Sequence, residues 1–200
     1  MIPIIHRVNT VNDLIEVDVN HGIEIDIRFK NDKLVLSHDH ESIESNFVDF
    51  LKRYNHSLLV VNVKESNIEN LIITKLKENK IDTFFLLDVE FPYILQNHKV
   101  FGDHLSLRYS KYESIESVSY FKNKIKWLWI DTYEDFEINE NIANIIKHFS
   151  VILVSPSRWG KKKALTKYVE KLKKYDINLY GIMIEKNEKN SFSNLKKIRH

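Results

Sequence analysis

The sequence has no cysteine, and it is poor in glycine and proline, with 4 and 3 among 200 residues. The first absence excludes disulfides, Cys-based zinc centres and a thiol nucleophile, and it suits a reducing compartment. The second leaves no flexible linker. No Gly-rich phosphate loop of the Rossmann or P-loop kind is present, so nucleotide binding through those motifs has no support. The apolar runs at 58–61, 84–87 and 151–154 are far shorter than the roughly 18 residues a membrane span needs. Met1-Ile2-Pro3-Ile4-Ile5-His6 has neither the basic lead nor the long apolar core of a signal peptide. A cytoplasmic protein without a transmembrane segment is expected. A strong net charge is lacking too. The balance is +2, so no global basic field calls for nucleic acid. One local excess exists: Arg158 to Lys174 holds eight basic residues and one acidic residue, Glu170. It reads as a solvated helix face or as an attractor for an anionic substrate or lipid surface.

What is present is a globular composition, 43% hydrophobic and 29% charged, arranged as short apolar runs followed by longer amphipathic stretches. Strands are expected at Ile2–His6, Gly22–Phe29, Leu58–Val63, Thr83–Val89, Leu105–Tyr109, Trp127–Asp131, Val151–Ser155 and Leu179–Ile184. Several are continuously apolar, which suits parallel strands buried on both faces. A ninth run, Leu34–Ser37, is expected to pair with the end of the second strand across Lys30-Asn31-Asp32-Lys33. Helices are expected over Ile43–Tyr54, with Ile43, Phe47, Phe50 and Leu51 on one face, and over Ile68–Asn79, with Ile68, Leu71, Ile72 and Leu76. Two more are expected over Ile142–Phe149 and Ala164–Tyr175. The alternation predicts an α/β fold: a compact (β/α)₈ TIM barrel forming one domain over residues 1–200. A doubly wound open sheet is the second possibility.

A barrel places its reactive groups at the C-terminal ends of the strands. Those positions hold His6-Arg7, Glu24 and Asp26, Asn62 and Lys64, Asp88, Arg108, Asp131, Ser155, Arg158 and Glu185. The densest cluster lies in the first forty residues. Glu24 and Asp26 stand two apart on one strand and share a face, while Ile23, Ile25 and Ile27 take the other. Two inward carboxylates repel each other and are costly to bury. A bound hard cation, Mg²⁺ or Ca²⁺, would relieve both problems. His6 and His38 suit proton transfer near neutrality, and Arg7 and Lys64 suit the neutralisation of phosphate oxygens. The remaining histidines, His21, His40, His56, His98, His104, His148 and His200, show no ligand spacing and read as surface or helix-end residues. Trp127 and Trp129 read as packing, and Trp159 as a residue on the active side.

The order His6-Arg7, Gly22-Ile23-Glu24-Ile25-Asp26 and His38-Asp39 resembles the signature of the glycerophosphodiester phosphodiesterase family. That family is similar in turn to the sphingomyelinase D and phosphatidylinositol-specific phospholipase C groups. The resemblance implies that His6 and His38 act as acid and base, that Glu24 and Asp26 hold a divalent metal, and that Lys64 contacts phosphate. It implies a small-molecule or lipid-headgroup phosphodiester as substrate. The sequence departs from the family at three points. Asn62-Val63-Lys64 replaces Glu-x-Lys, which makes Asn62 a neutral third ligand and brings Asp88 into consideration. Asn9-Thr10-Val11-Asn12 stands where the family has Glu-Asn-Thr. Only 18 residues separate Asp39 from Leu58, so the family's inserted domain is missing. A barrel that binds a phosphorylated sugar or lipid headgroup without turnover is the second functional expectation.

Overall fold

The computed structural model describes residues 1–161 and 164–188. The chain divides into two compact units, Ile4–Val100 and Met1–Pro3 with Phe101–His200. The first unit runs β1 (Ile2–Ile5), α1 (Val11–Ile15), β2 (Gly22–Lys30), β3 (Lys33–Leu36), β4 (Ser45–Asn46), α2 (Phe47–Leu51), β5 (Leu58–Val63), α3 (Glu69–Glu78), β6 (Phe84–Leu87) and α4 (Phe91–Phe101). Its parallel strands lie in the order β1-β2-β5-β6. The second unit runs β7 (Ser106–Tyr109), α5 (Ile115–Tyr120), β8 (Trp127–Ile130), α6 (Glu140–Ile146), β9 (Ser150–Val154), α7 (Leu165–Lys173) and β10 (Leu179–Ile184). Its strands are parallel in the order β7-β8-β9-β10. The eight expected strands are thus the eight parallel strands, with four in each order.

Strand formation follows from side-chain chemistry. β5, β6 and β8 are buried along their whole length, as expected for β-branched, leucine and aromatic runs covered on both faces. Trp127 and Trp129 are core residues, in line with the packing reading. β2 continues into an antiparallel pairing with β3. Asn31 and Asp32 join them with φ of 49° and 59°, the paired left-handed conformations of a two-residue hairpin that Asn and Asp tolerate. At Gly22 an added Cβ would lie 3.0 Å from the Ile4 side chain and 3.3 Å from Leu58. The bare backbone there lets β1 and β5 close on both edges of β2.

The helices depart from expectation at specific places. The segment 43–54 is helical only at Phe47–Leu51. Ser45 and Asn46 pair with β3, and the Asn46 side chain caps the helix by accepting from Asp49 N–H at 3.1 Å. Ile43 is therefore exposed, not part of an apolar face. In α3, Leu71 is exposed and Ile73 is buried in its stead. Helices α1, α4 and α5 lie between strands, where the strand–helix alternation implies helices but no apolar face marks their bounds. Two of them start at side-chain caps, Thr10 and Ser114. The α7 face of Leu165, Tyr168, Val169 and Leu172 is buried as expected. Within the basic stretch 158–174, Lys167 and Lys171 pair with Asp135 at 3.2 and 2.7 Å, so part of that charge is already answered. Lys162 and Lys163, and His200, lie outside the described residues.

His56 is not a surface residue. It is buried, with its ring nitrogen Nε2 donating to the Val17 carbonyl at 3.1 Å. Burial lowers its pKa below 6.5, against the opposing pull of the Val17 carbonyl and Asp18. A proton then binds the unfolded chain more tightly than the folded one. The expected outcome is full stability above about pH 6.5 and a loss as pH falls from there toward the depressed folded value. Urea unfolding of wild type and His56→Gln across that range checks it, and the variant should lack this part of the slope.

Candidate active site

The site grows from one face of β2. Glu24 and Asp26 both point to it and are almost wholly buried, while Ile23, Ile25 and Ile27 fill the opposite face. The donors to the two carboxylates come from the loop after β1 and from the end of β5. Glu24 Oε2 accepts from the Arg7 backbone N–H at 2.9 Å, and Oε1 accepts from the Asn62 side-chain amide at 3.1 Å. His6 Nε2 stands 3.8 Å from Glu24 Oε2. Asp26 Oδ1 pairs with Lys64 Nζ at 2.9 Å, and Oδ2 accepts from the Asn9 amide at 3.1 Å. Arg7 Nε is 4.0 Å from Asp26 Oδ2. Register explains the convergence, because Asp26 is the direct partner of Asn62 on β5 and Lys64 follows two residues later on the same face.

The two acids diverge in character. Burial, and then the charge of Asp26, pushes the Glu24 carboxyl above its ordinary range. Burial acts in the same direction on Asp26, but the charge and hydrogen bond of Lys64 and the Asn9 amide outweigh it and hold Asp26 below its ordinary range. Arg7 adopts a left-handed backbone, φ 54°, which costs a non-glycine residue on the order of 1–3 kcal/mol. That turn delivers the Arg7 N–H to Glu24, while the next residue's N–H bonds the Glu24 carbonyl at 2.8 Å.

His38 sits just beyond β3. Its Nδ1 bonds Asp39 Oδ1 at 2.7 Å, and its Nε2 accepts from the Arg7 guanidinium. A carboxylate can only accept, so the proton belongs on Nδ1 and Nε2 is left with a free lone pair for a donor. The backbone of His38 is clamped from two sides. Its N–H donates to Glu44 Oε1 at 3.2 Å, and its carbonyl accepts from Arg28 Nη2 at 3.0 Å. Arg28 is fixed in turn by Glu65 at 3.3 Å.

Three of these residues escaped sequence reasoning. Arg28 carried a readable signal, since it continues the Glu24-Asp26 face by one more step of two. Asn9 was read only as a departure from a motif. Yet it is buried, accepts the Asp26 backbone N–H at 2.8 Å, and donates to both Asp26 and Glu44, the latter at 3.3 Å. Glu44 lay in a segment expected to be helical and carried no signal.

Asp88 lies at the exit of β6, with φ 60°, and lines a cavity of about 140 Å³ together with Lys64, Glu65, Glu69 and Glu90. Arg108 and Asp131 belong to the second unit. There Asp131 is buried and gathers Arg108 at 2.8 Å and the Trp159 indole N–H at 2.9 Å. Arg108 also donates to the Tyr133 hydroxyl at 3.1 Å. Thus His6, Arg7, Glu24, Asp26, His38, Asn62 and Lys64 meet in the first unit, and Arg108, Asp131 and Trp159 in the second.

The expected divalent ion can be tested against its donors. Asn62 Oδ1 is buried and accepts from no protein donor among the described residues, which would suit a ligand. The rest of the set does not fit. The carboxylates already receive the Arg7 N–H, two side-chain amides and the Lys64 ammonium. The Asn62 amide presents hydrogen, not oxygen, to Glu24. No cluster of three or more His, Asp or Glu suited to a metal exists among the described residues.

No known protein family matches the chain, and no curated protein matches it by sequence. Solved structures do. A glycerophosphoryl diester phosphodiesterase from Parabacteroides distasonis superposes with a TM-score of 0.66 over 98% of this chain and 86% of its own, at 8% identity. The tryptophan synthase α-subunit of Pyrococcus furiosus, a mutant form, gives 0.56 over 98% and 95%, at 13% identity. That of Campylobacter jejuni gives 0.56 over 96% and 89%, at 12% identity. At such identities the likeness establishes the fold alone, and the fold is the mixed α/β class of the TIM barrels, not a doubly wound sheet.

Asn9 provides a direct check of the geometry. Asn9→Ala strands the Asp26 N–H and removes a donor from its carboxylate. The expected cost is about 1–3 kcal/mol of stability, as for an unsatisfied buried group. Chemical denaturation of wild type and Asn9→Ala measures it, and Asn12→Ala should serve as a neutral control.

Proposed function

We propose that the chain is a phosphodiesterase acting on a small-molecule or lipid-headgroup phosphodiester of the glycerophosphodiester kind. The observation that carries this reading is the pair of bonds at His38. Asp39 fixes the proton on Nδ1, and the Arg7 guanidinium covers Nε2. An incoming phosphate would draw the guanidinium onto its own oxygens, where Arg binds two at once. Nε2 would then be freed as a base beside the phosphorus. The likeness to a glycerophosphoryl diester phosphodiesterase agrees with this chemistry.

The steps balance as a general acid–base displacement. His38 Nε2 takes the proton of an attacking water, whose oxygen bonds to phosphorus. The bond from phosphorus to the alcohol oxygen breaks, and His6, acting as the general acid, gives a proton to that oxygen. If a hydroxyl of the substrate attacks in place of water, the first product is a cyclic phosphate. Arg7 and Lys64 balance the charge that accumulates on the non-bridging oxygens. The buried walls formed by β2 and β5 keep the local dielectric low, which strengthens these contacts.

The test is alcohol release from a panel of glycerophosphodiesters and sugar phosphodiesters, assayed with chelator and with added Mg²⁺ or Ca²⁺. His6→Ala and His38→Ala should each lose about 10²–10⁴-fold in kcat. Asp39→Asn should lose less, because it disturbs the tautomer without removing the base. Full activity in both histidine variants would sink the assignment. Tight phosphate-ester binding without turnover would favour a binding protein.

A further inference from the structure

We infer that Lys64 is the resident counter-cation of the Glu24–Asp26 pair, so that this site meets a phosphodiester with fixed side-chain charge in place of a divalent ion. The inference rests on the phosphodiester reading above, but it concerns how charge is balanced and not whether bonds are cleaved.

The charge arrangement supplies the first ground. Two buried carboxylates face two side-chain cations, Lys64 at 2.9 Å and Arg7 at 4.0 Å from Asp26. A divalent ion added to that set would stand close to the Lys64 ammonium, and no group of three or more His, Asp or Glu placed to hold such an ion exists among the described residues. Like charges so placed repel strongly where water is scarce. The second ground is position 62. It is the direct partner of Asp26, where a third carboxylate would complete a hard-cation site. An amide stands there instead and spends its N–H on Glu24. A carboxylate at 62 could not donate this bond, so the present residue suits a carboxylate that is held by hydrogen bonds. The third ground is accessibility. The Lys64 side chain is 21% exposed and that of Asp26 is 1% exposed, so the ammonium caps the acid on its open side. One nitrogen can therefore touch both Asp26 and an arriving phosphate oxygen. A lysine ammonium has three donors and suits this bridging position.

Two measurements on the full chain test the inference. The first is thermal unfolding with millimolar Mg²⁺ or Ca²⁺. Wild type should show no saturable shift, whereas Lys64→Met, which leaves the acids without their counter-charge, should gain one. A saturable shift in wild type that disappears in Asp26→Asn would overturn the inference. The second is calorimetric binding of glycerol 3-phosphate, with and without chelator. Wild type should bind equally in both. Lys64→Met should bind roughly ten- to a hundredfold more weakly, as for a lost charge-assisted hydrogen bond, and Lys64→Arg should recover part of the loss. Binding that vanishes with chelator would overturn the inference, as would absence of binding in both conditions. Cleavage that requires added metal would overturn it while leaving the phosphodiesterase reading intact. Chelator-independent binding without cleavage would do the reverse.

Discussion

The burial of Glu24 and Asp26 side by side on β2 is the constraint on which the first unit turns. Isolated carboxylates are very costly to remove from water, and adjacent ones compound the cost by repulsion. The surrounding chain is organised to offset it. Two residues beyond β1, Arg7 takes a left-handed backbone so that its N–H reaches Glu24. The loop after it sends Asn9 back to Asp26, and β5 contributes Asn62 and Lys64 in register. Such strain persists only where the surroundings hold it in place.

These constraints reach outward to the catalytic candidates. Asn9 touches Asp26 and Glu44, and Glu44 holds the His38 backbone. Arg28, on the same face of β2, holds the other side of His38. The half-buried His38 is therefore anchored through polar contacts to the buried acids. Linked polar contacts of this kind hold side chains and backbone in one geometry. The second unit uses the same device on its own scale, where the buried Asp131 orders Arg108 and Trp159.

Much of the scaffold was legible because its signals are local. Continuous apolar runs named the parallel strands, and the two-residue period put Glu24 and Asp26 on one face. Asn31-Asp32 marked the hairpin through the backbone conformations those residues tolerate. The segment 43–54 misled for an equally physical reason. Its apolar spacing is helical, but pairing of Ser45 and Asn46 with β3 and capping by Asn46 begin the helix four residues later than Ile43. Tertiary pairing overrode local propensity there. His56 misled because nothing in its neighbours along the chain announces the Val17 carbonyl that buries with it.

By itself the sequence determined the alternation of strands and helices, the shared face of the two acids, and the identity of the histidines and cations near them. Those features depend on side-chain type and on spacing of a few residues. Only the tertiary structure decided what faces the acids. Asn9 and Glu44 lie 35 positions apart, and Asn62 and Glu24 lie 38 apart. Hydrogen bonds and ion pairs act over about 3–4 Å of space whatever the distance along the chain, so the register of β2 with β5, and the turn at Arg7, fixed the partners.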